Sequence, residues 1–238
     1  MPSTICKQIM AELKKLGNPQ TKKTYMRHGA PEPVFGVKMG DLKPIQKRIK
    51  KDYELALELF DTGNSDAQYL AGLIADETKM TKRDLNRWVR EASWYMISDF
   101  AVAWAASESP HAFDLALKWI ESKRERTASA GWCTLSSYLS ITPDEEIDME
   151  AIEDLLARVV DEIHEERNEV RHVMNGFVIA TGSFVKPLKA EALNVAEKIG
   201  VVQVDHGDTA CKTPLASEYI KKVAKMGRTG KKRKAARC

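Results

Sequence analysis

The sequence has no long hydrophobic run. No stretch of about 18 consecutive apolar residues occurs in its 238 residues, and a membrane-spanning helix needs a run of about that length. The chain also lacks the charged and then apolar leader that directs secretion. We therefore expect a cytoplasmic protein that has no membrane partner.

Cysteine residues are few and widely separated. The four are Cys6, Cys133, Cys211 and Cys238, and no two of them form a CxxC pair. This spacing favours reduced thiols over a disulfide framework, which agrees with a cytoplasmic location.

A clear metal-binding cluster is also missing. Asp205, His206, Asp208 and Cys211 carry ligand-capable side chains in one short segment. Their mixture of ligand types and the lack of a second cluster favour a turn over a metal site, with Gly207 supplying backbone freedom and the Asp side chains capping. We expect neither a metal nor a cofactor.

The sequence shows no convincing strand pattern. The β-branched residues Val201, Val202 and Val204 form the one stretch that could be extended, and it is too short to found a sheet. No clean repeat period and no TPR or ankyrin consensus is present. The absence of strands leaves helices as the only regular structure that the pattern supports.

Helical periodicity and capping residues predict about a dozen helices joined by short connections. Thr81 and Asp84 resemble a capping box, and Ser109 followed by Pro110 is typical of a helix start. We predict an all-α fold in which antiparallel helix pairs stack into a superhelix, an α-α solenoid. The predicted helices cover residues 3–17, 22–27, 41–51, 53–60, 67–75, 85–89, 93–106, 110–120, 128–139, 149–163, 170–184, 188–199 and 215–224.

The net charge of +3 hides a strong partition along the chain. Residues 1–51 and residues 221–238 each carry a net charge of +9, which leaves −15 for the middle of the chain. A polyanion would then be held by the ends and by local patches. The alternative is a solvated face followed by a disordered tail. We expect one domain over residues 1–225 and a basic, disordered tail over residues 226–238.

The segment Ser93–Ala106 is apolar almost all round and reads as a helix enclosed by other helices. Asp99 interrupts it, and Tyr95 precedes Asp99 by four residues, so an α-helix would place the ring and the carboxylate on one strip. A buried acid needs a hydrogen-bond partner, a counter-ion or an opening to solvent or ligand. Asp99 is thus either a structural carboxylate paired with an Arg or a functional group.

Several segments resemble the AlkD-type DNA alkylation repair glycosylases, a family built of HEAT-like helical repeats. They are FGVKMGDLKPIQKRI, SWYMISD, KWIESKRERTASAGW and VMNGFVIA, whereas VDHGDTACKTP and the basic tail match a sub-branch better. The resemblance implies a HEAT-like superhelix whose concave, cationic groove binds alkylated duplex DNA. It also implies hydrolysis of the N-glycosidic bond of cationic purines such as 7-methylguanine or 3-methyladenine, without a deep base pocket.

The resemblance assigns roles to individual residues. Asp99 matches the catalytic carboxylate, which would stabilise the oxocarbenium sugar and position water. Tyr95 and Phe177 match two aromatic positions where the family usually has Trp. Ser129 stands at the position of the family's catalytic-site Arg and cannot reproduce an Arg clamp on phosphate.

Basic residues elsewhere are candidates for contacts with DNA phosphates. Arg167 and Arg171 lie four residues apart beside several glutamates, so a salt-bridged surface is the alternative interpretation for this pair. The candidates near Ser129 could compensate for it, contact phosphate only, or do neither. With Ser129 itself, the predicted DNA-binding set is Ser129, Lys123, Arg124, Arg126, Arg167, Arg171, Lys231, Lys232, Arg233 and Lys234.

Three functions remain open from the sequence. The first is a monomeric DNA glycosylase that uses Asp99, and the second is a related protein that binds bent, nicked or branched DNA without catalysis. The third is a helical-repeat scaffold whose acidic middle binds a basic protein.

Overall fold

The computed structural model describes residues 2–237 and is helical throughout. No β-strand occurs in these residues, so the predicted all-α class is confirmed. A π-helix spans Ile97–Val102, and a 3-10 turn spans Asp144–Glu146. The α-helices are α1 (Thr4–Leu16), α2 (Pro19–Arg27), α3 (Met39–Ile49), α4 (Tyr53–Asp61), α5 (Ser65–Ile74), α6 (Lys82–Glu91), α7 (Ala103–Ser107), α8 (Ala112–Ile120), α9 (Glu125–Ile141), α10 (Met149–Glu162), α11 (Asn168–Phe184), α12 (Lys189–Ile199) and α13 (Ala216–Lys225).

Capping side chains fix several helix starts. The capping box of α6 is confirmed, because the Thr81 hydroxyl accepts from the Asp84 N–H at 3.1 Å and the Asp84 carboxylate accepts from the Thr81 N–H. Asn18 caps α2, and this helix begins at Pro19, three residues before the start that the periodicity predicted at residue 22. Helix α8 begins at Ala112, so Pro110 precedes the helix and does not occupy its first position.

The contacts divide the chain into two units, where the sequence predicted one domain over residues 1–225. The first unit ends at Leu115 and also includes Arg237, and the second spans Ala116–Ala236. Within residues 2–237, no helix combines the length and the hydropathy that a bilayer crossing requires.

In the first unit, α5 is the central element. It packs against α4, α3, α1 and the π-helix, and every residue from Ser65 to Ile74 is buried. Gly72 permits the closest approach, because a Cβ at this position would lie 2.5 Å from the Ala101 Cβ. The backbone of α5 therefore directly supports the π-helix that carries Asp99.

Asp66, in the first turn of α5, organises the preceding loop. Its carboxylate accepts three backbone N–H groups, from Phe35 at 2.6 Å, Gly36 at 3.1 Å and Val37 at 2.7 Å. Burial raises the pKa of Asp66, although the three N–H donors work in the opposite direction. This network fixes the FGV segment against α5 and explains its glycine, since Gly36 has φ +79°.

In the second unit, α11 is the central element and packs against α9, α12 and α13. A Cβ at Gly131 in α9 would lie 2.7 Å from the Ile120 nitrogen, and one at Gly182 in α11 would lie 2.7 Å from the Ile220 side chain. These glycines let the helices approach closely, so the interior of this unit is densely packed.

Residues 226–237 have defined contacts, whereas the sequence predicted a disordered tail; Cys238 lies outside the described residues. In the second unit, Gly230 N–H donates to the Ser183 carbonyl at 2.9 Å and Arg233 N–H to the Ser140 carbonyl at 2.7 Å. Both carbonyls lie in the last turn of a helix, where they have no partner within the helix. A cationic segment is favoured there, because the helix dipole is negative at that end.

Arg237 also binds carbonyl groups at the end of a helix, in this case in the first unit. Its guanidinium donates to the carbonyls of Leu73 and Ala75 at the end of α5, and to the carboxylates of Glu77 at 2.7 Å and Glu108 at 2.5 Å. The Arg237 side chain is only 8% exposed. This residue of the segment predicted to be disordered is therefore a buried structural group.

Candidate functional site

Asp99 lies on a π-helix and not on the continuous α-helix predicted for residues 93–106. The π-helix covers Ile97–Val102, and α7 begins directly after it. Its hydrogen bonds close one residue later than those of an α-helix, so the 100° spacing used to place Tyr95 and Asp99 on one strip does not hold here. π-helical turns occur frequently at functional sites, and this one carries the candidate catalytic acid.

The Asp99 carboxylate is largely buried and is held by its neighbour. It is 8% exposed, and the buried Ser98 hydroxyl donates to Asp99 Oδ1 at 2.7 Å. The same hydroxyl lies 3.3 Å from the Tyr95 carbonyl. Asp99 is thus oriented by its own helical turn and keeps a small opening to solvent.

Aromatic rings surround the start of this element. The rings of Trp94 and Tyr95 meet edge to face with centroids 5.2 Å apart, and Trp94 lies 5.5 Å from the Tyr25 ring. Tyr95 is half-buried and Trp94 is buried. Burial raises the pKa of Tyr25 to about 12, and the charges of Asp66 and Asp41 add to this. Tyr25 therefore stays neutral and donates to the Val37 carbonyl at 2.8 Å.

Ser129 and Phe177 lie in the core of the second unit. Both are completely buried, and the Phe177 ring packs 5.1 Å from the Trp132 ring between α9 and α11. Their burial does not fit the predicted roles, in which Ser129 contacts DNA and Phe177 offers an aromatic face to a sugar. The packing of α9 against α11 explains the difference, because Phe177 is buried where these two helices meet.

Lys123 and Arg167 line one open cavity of about 340 Å³ in the second unit. The Arg167 guanidinium already has structural partners, because it pairs with Glu166 at 3.1 Å and donates to the Ser122 carbonyl at 3.0 Å. The predicted alternative of a salt-bridged surface therefore describes Arg167. Lys123 is exposed at the rim. The residues that line the cavity are Ile120, Glu121, Ser122, Lys123, Arg158, Glu166 and Arg167.

Arg124 is exposed and Arg126 is half-buried at the start of α9. Nearby, the Glu169 N–H donates to Glu125 at 2.8 Å. Burial raises the pKa of Glu169, the charge of Glu125 raises it further, and Arg126 opposes both. Sequence reasoning treated Glu169 only as a salt-bridge partner and gave no signal that it would be a buried acid.

Arg171 differs from Arg167, since no described residue forms an ion pair with it and its buried Nε lacks a hydrogen-bond partner. It lies on α11 beside Asn175, whose amide donates to the Pro214 carbonyl at 2.9 Å. Arg171 therefore remains available for a phosphate.

The segment 205–214 is fastened to α11 as a structured loop. Asn168 and Asp205 exchange two hydrogen bonds, and His172 and His206 both lie within hydrogen-bond distance of the Thr213 hydroxyl. The predicted turn is confirmed, because Asp205 Oδ1 accepts from Gly207 N–H at 2.8 Å and Gly207 has φ +56°. Within residues 2–237, no three His, Cys, Asp or Glu side chains come together as a metal site.

The four tail cations differ in their availability. Lys232 pairs with Asp144 at 2.8 Å and donates to the Leu139 carbonyl. Lys231, Arg233 and Lys234 are exposed. Three of the four predicted DNA-binding residues of the tail are therefore accessible, and Lys232 has a structural role.

Comparison with known proteins decides the family. The sequence profile of the DNA alkylation repair enzymes matches residues 9–220. The chain belongs to this family.

Proteins from two Listeria species are similar to this chain in sequence. Lin0241 of Listeria innocua is 37% identical over 222 residues, which are 90% of this chain and 95% of that protein. Lmo0209 of Listeria monocytogenes is 36% identical with the same coverage. A solved structure is 42% identical and covers 100% of both chains with a TM-score of 0.91. It represents proteins related to the HEAT-like repeat DNA glycosylases with affinity for branched DNA structures.

The fold of this solved structure confirms the HEAT-like architecture predicted for this DNA alkylation repair family member. The chain keeps an acid and an adjacent aromatic, Asp99 and Tyr95, in the first unit. In the second unit, the two positions that the resemblance assigned to the site, Ser129 and Phe177, are filled with core side chains.

Proposed function

We propose that this protein is a monomeric DNA-repair protein that binds branched DNA and recognises its structure. The observation that carries the proposal is the likeness over the whole chain, at 42% identity and a TM-score of 0.91, to a protein with affinity for branched DNA. At that similarity the surfaces that contact a ligand are expected to be broadly shared.

The geometry of the second unit supports recognition without catalysis. The family's Arg would clamp a phosphate beside the reacting sugar, whereas Ser129 is short, neutral and completely buried. Phe177 lies against Trp132 and offers no accessible ring face. Arg171, Lys123, Lys231 and Lys234 remain for phosphate contacts, which supply affinity for any DNA but no recognition of a damaged base.

The test compares a four-way junction with a linear duplex of the same sequence, at several salt concentrations, by gel shift with a competitor duplex. We expect the junction to bind more tightly and both affinities to fall with salt, since cations at phosphates release counterions. Equal affinity for the two DNAs would contradict structure recognition. Undetectable binding at low salt would favour the protein-scaffold alternative.

Hydrolysis by Asp99 is a second candidate function, and the hydrogen bond from Ser98 to Asp99 favours it. In this reaction the C1′–N bond breaks, the alkylated purine leaves as a neutral base, and water adds to C1′ with loss of a proton. The Asp99 carboxylate would stabilise the positive sugar and hold the water.

The test measures release of 7-methylguanine or 3-methyladenine from methylated duplex DNA. Release by the wild-type protein that is lost in Asp99→Asn, with DNA affinity unchanged, would support this candidate. No release by the wild type, or equal release by both proteins, would remove Asp99 from catalysis.

A further inference from the structure

Helix α13 exposes large apolar side chains on one side. Leu215 is 38% exposed, Tyr219 is 46% exposed and Met226 is 54% exposed. At 3.6 residues per turn these three residues and Lys222 lie within about 60° of one another around the helix axis. We call these four residues the outer face of α13.

The outer face is rigidly presented. On the opposite side, Ala216 and Ile220 are completely buried, and Ile220 packs against Gly182 of α11 with no room for a side chain there. The hydrogen bond from Asn175 to the Pro214 carbonyl fastens the residue just before the helix. The exposed ring of Tyr219 therefore belongs to a fixed helix.

The chain that forms the second half of α13 and continues beyond it is strongly basic. Residues 221–238 contain nine Lys and Arg and no acid, and Lys221 is paired with Glu197. Five exposed cations form no ion pair with any residue that the structure describes. They are Lys222, Lys225, Arg228, Lys231 and Lys234.

An exposed aromatic ring among unpaired lysines complements nucleic acid with accessible bases. Bases stack on aromatic side chains while the cations follow the phosphates, and this combination binds unpaired strands without sequence preference. A linear duplex hides its bases within the stack, whereas a branch point can expose them. The stacking contribution should therefore be specific for branched DNA.

We propose that the outer face of α13 binds the branch point of a DNA junction, with Tyr219 stacked on an exposed base and Lys222 and Lys225 at the adjacent phosphates. The inference rests on the proposed function and adds a residue that senses the branch.

The experiment measures dissociation constants for a four-way junction and for a linear duplex of the same sequence. The variants are Tyr219→Ala, Tyr219→Phe and Lys222→Gln. The matched controls are Val201→Ala, which removes another exposed apolar side chain, and Lys198→Gln, which removes an exposed lysine on α12. Thermal unfolding checks that each variant is folded, which is expected because all four side chains are exposed.

Tyr219→Ala is expected to weaken junction binding by about 5- to 150-fold, the effect of removing one base-stacking ring, and to change duplex binding by less than about twofold. Tyr219→Phe keeps the ring and should bind the junction like the wild type. Lys222→Gln should weaken binding to both DNAs and reduce the salt slope by about one. The two controls should leave both affinities unchanged.

Junction binding by Tyr219→Ala that equals that of the wild type would overturn the inference and leave the proposed function standing. Equal losses on junction and duplex would also overturn it. Absence of junction binding by the wild type would overturn both. A wild-type dimer that Tyr219→Ala dissociates, with junction affinity unchanged, would assign the outer face to a second copy of the chain and overturn the inference.

Discussion

The two units of this protein bury different kinds of groups. The first unit buries charges, namely the Asp66 carboxylate with its three N–H donors and the Arg237 guanidinium with Glu77 and Glu108. The most deeply buried large side chains around α9 and α11 in the second unit are aromatic, with Phe177 against Trp132. The candidate acid Asp99 lies in the first unit, whereas Ser129, at the position matched to the family's arginine, is a small neutral residue in the second.

This comparison teaches that the two units stabilise their interiors with different groups. A buried charge persists only with satisfied partners, and Asp66 shows that the first unit supplies them. In the second unit, Ser129 on α9 and Phe177 on α11 are completely buried and carry no charge.

The largest expected effect is in the apolar core of the second unit. Phe177→Ala should lower the free energy of unfolding by about 3–5 kcal/mol, because it removes a fully buried ring and leaves a cavity. Urea unfolding followed by circular dichroism measures the loss. Phe100→Ala is the control, since Phe100 is 38% exposed and should cost less than about 1 kcal/mol. Equal losses of unfolding free energy in the two variants would contradict the assignment of Phe177 to the core and Phe100 to the surface.

The next effect is in the first unit. Arg237→Ala should destabilise the protein by about 3 kcal/mol, because Glu77 and Glu108 would be left largely buried without their cation. Hydrogen exchange should accelerate at the end of α5 and little in the second unit. Arg228→Ala, which removes an exposed arginine, is the control and should change neither quantity. Unaltered exchange in Arg237→Ala would show that the tail contact carries no stability.

A smaller effect is expected at Asp66. Asp66→Asn should cost about 2 kcal/mol, since an amide cannot accept all three backbone N–H groups and leaves buried donors unsatisfied. Exchange of the Phe35, Gly36 and Val37 amides should become faster. The exposed Asp41→Asn change serves as the control. If those amides stay protected, the carboxylate does not hold the loop.

The smallest expected effect is a difference between the two units in how a carboxylate's contribution to stability depends on pH. Burial alone would raise the pKa of Glu77. The hydrogen bond from Lys51, a backbone hydrogen bond to the Glu77 carboxylate and the charge of Arg237 lower the pKa by more, so it lies below its ordinary value of 4.5. The stability that Glu77 contributes is present above pH 4.5 and is lost as the pH falls through the lower folded pKa. Glu169 has a raised pKa, so its contribution is present below pH 4.5 and is lost as the pH rises through the folded pKa.

Unfolding measured between neutral and acidic pH should therefore separate two variants. Glu77→Gln should be destabilised at neutral pH and approach the wild type in acid. Glu169→Gln should be slightly stabilised at neutral pH, and this gain should vanish in acid. The same sign for both variants would contradict the assigned environments.

Much of the fold could be predicted from the sequence, because helix periodicity and caps such as Thr81 are local signals. The π-helix could not, since a helical wheel assumes the α-helical spacing that Ile97–Val102 does not follow. The contacts of residues 226–237 could not be predicted, because their partners are helix-terminal carbonyls such as that of Ser140. Such carbonyls leave no pattern in the sequence. The role of Asp66 depends on a loop about thirty residues earlier in the chain.

The candidate site was only partly predictable for the same reason. The acid at position 99 stands out against apolar neighbours, so the sequence identifies it. Whether Ser129 and Phe177 face a groove or a core depends on the packing of α9 against α11, which a single sequence does not encode locally. The outer face of α13 was overlooked because a single sequence does not show which apolar residues of an amphipathic helix, such as Tyr219, stay exposed.

The most direct test of structure recognition measures dissociation constants for an unmethylated four-way junction, an unmethylated duplex and a methylated duplex in the same salt. We expect the junction to bind most tightly, the two duplexes to bind equally, and no base to be released. Tightest binding to the methylated duplex, or release of its alkylated base, would contradict the account.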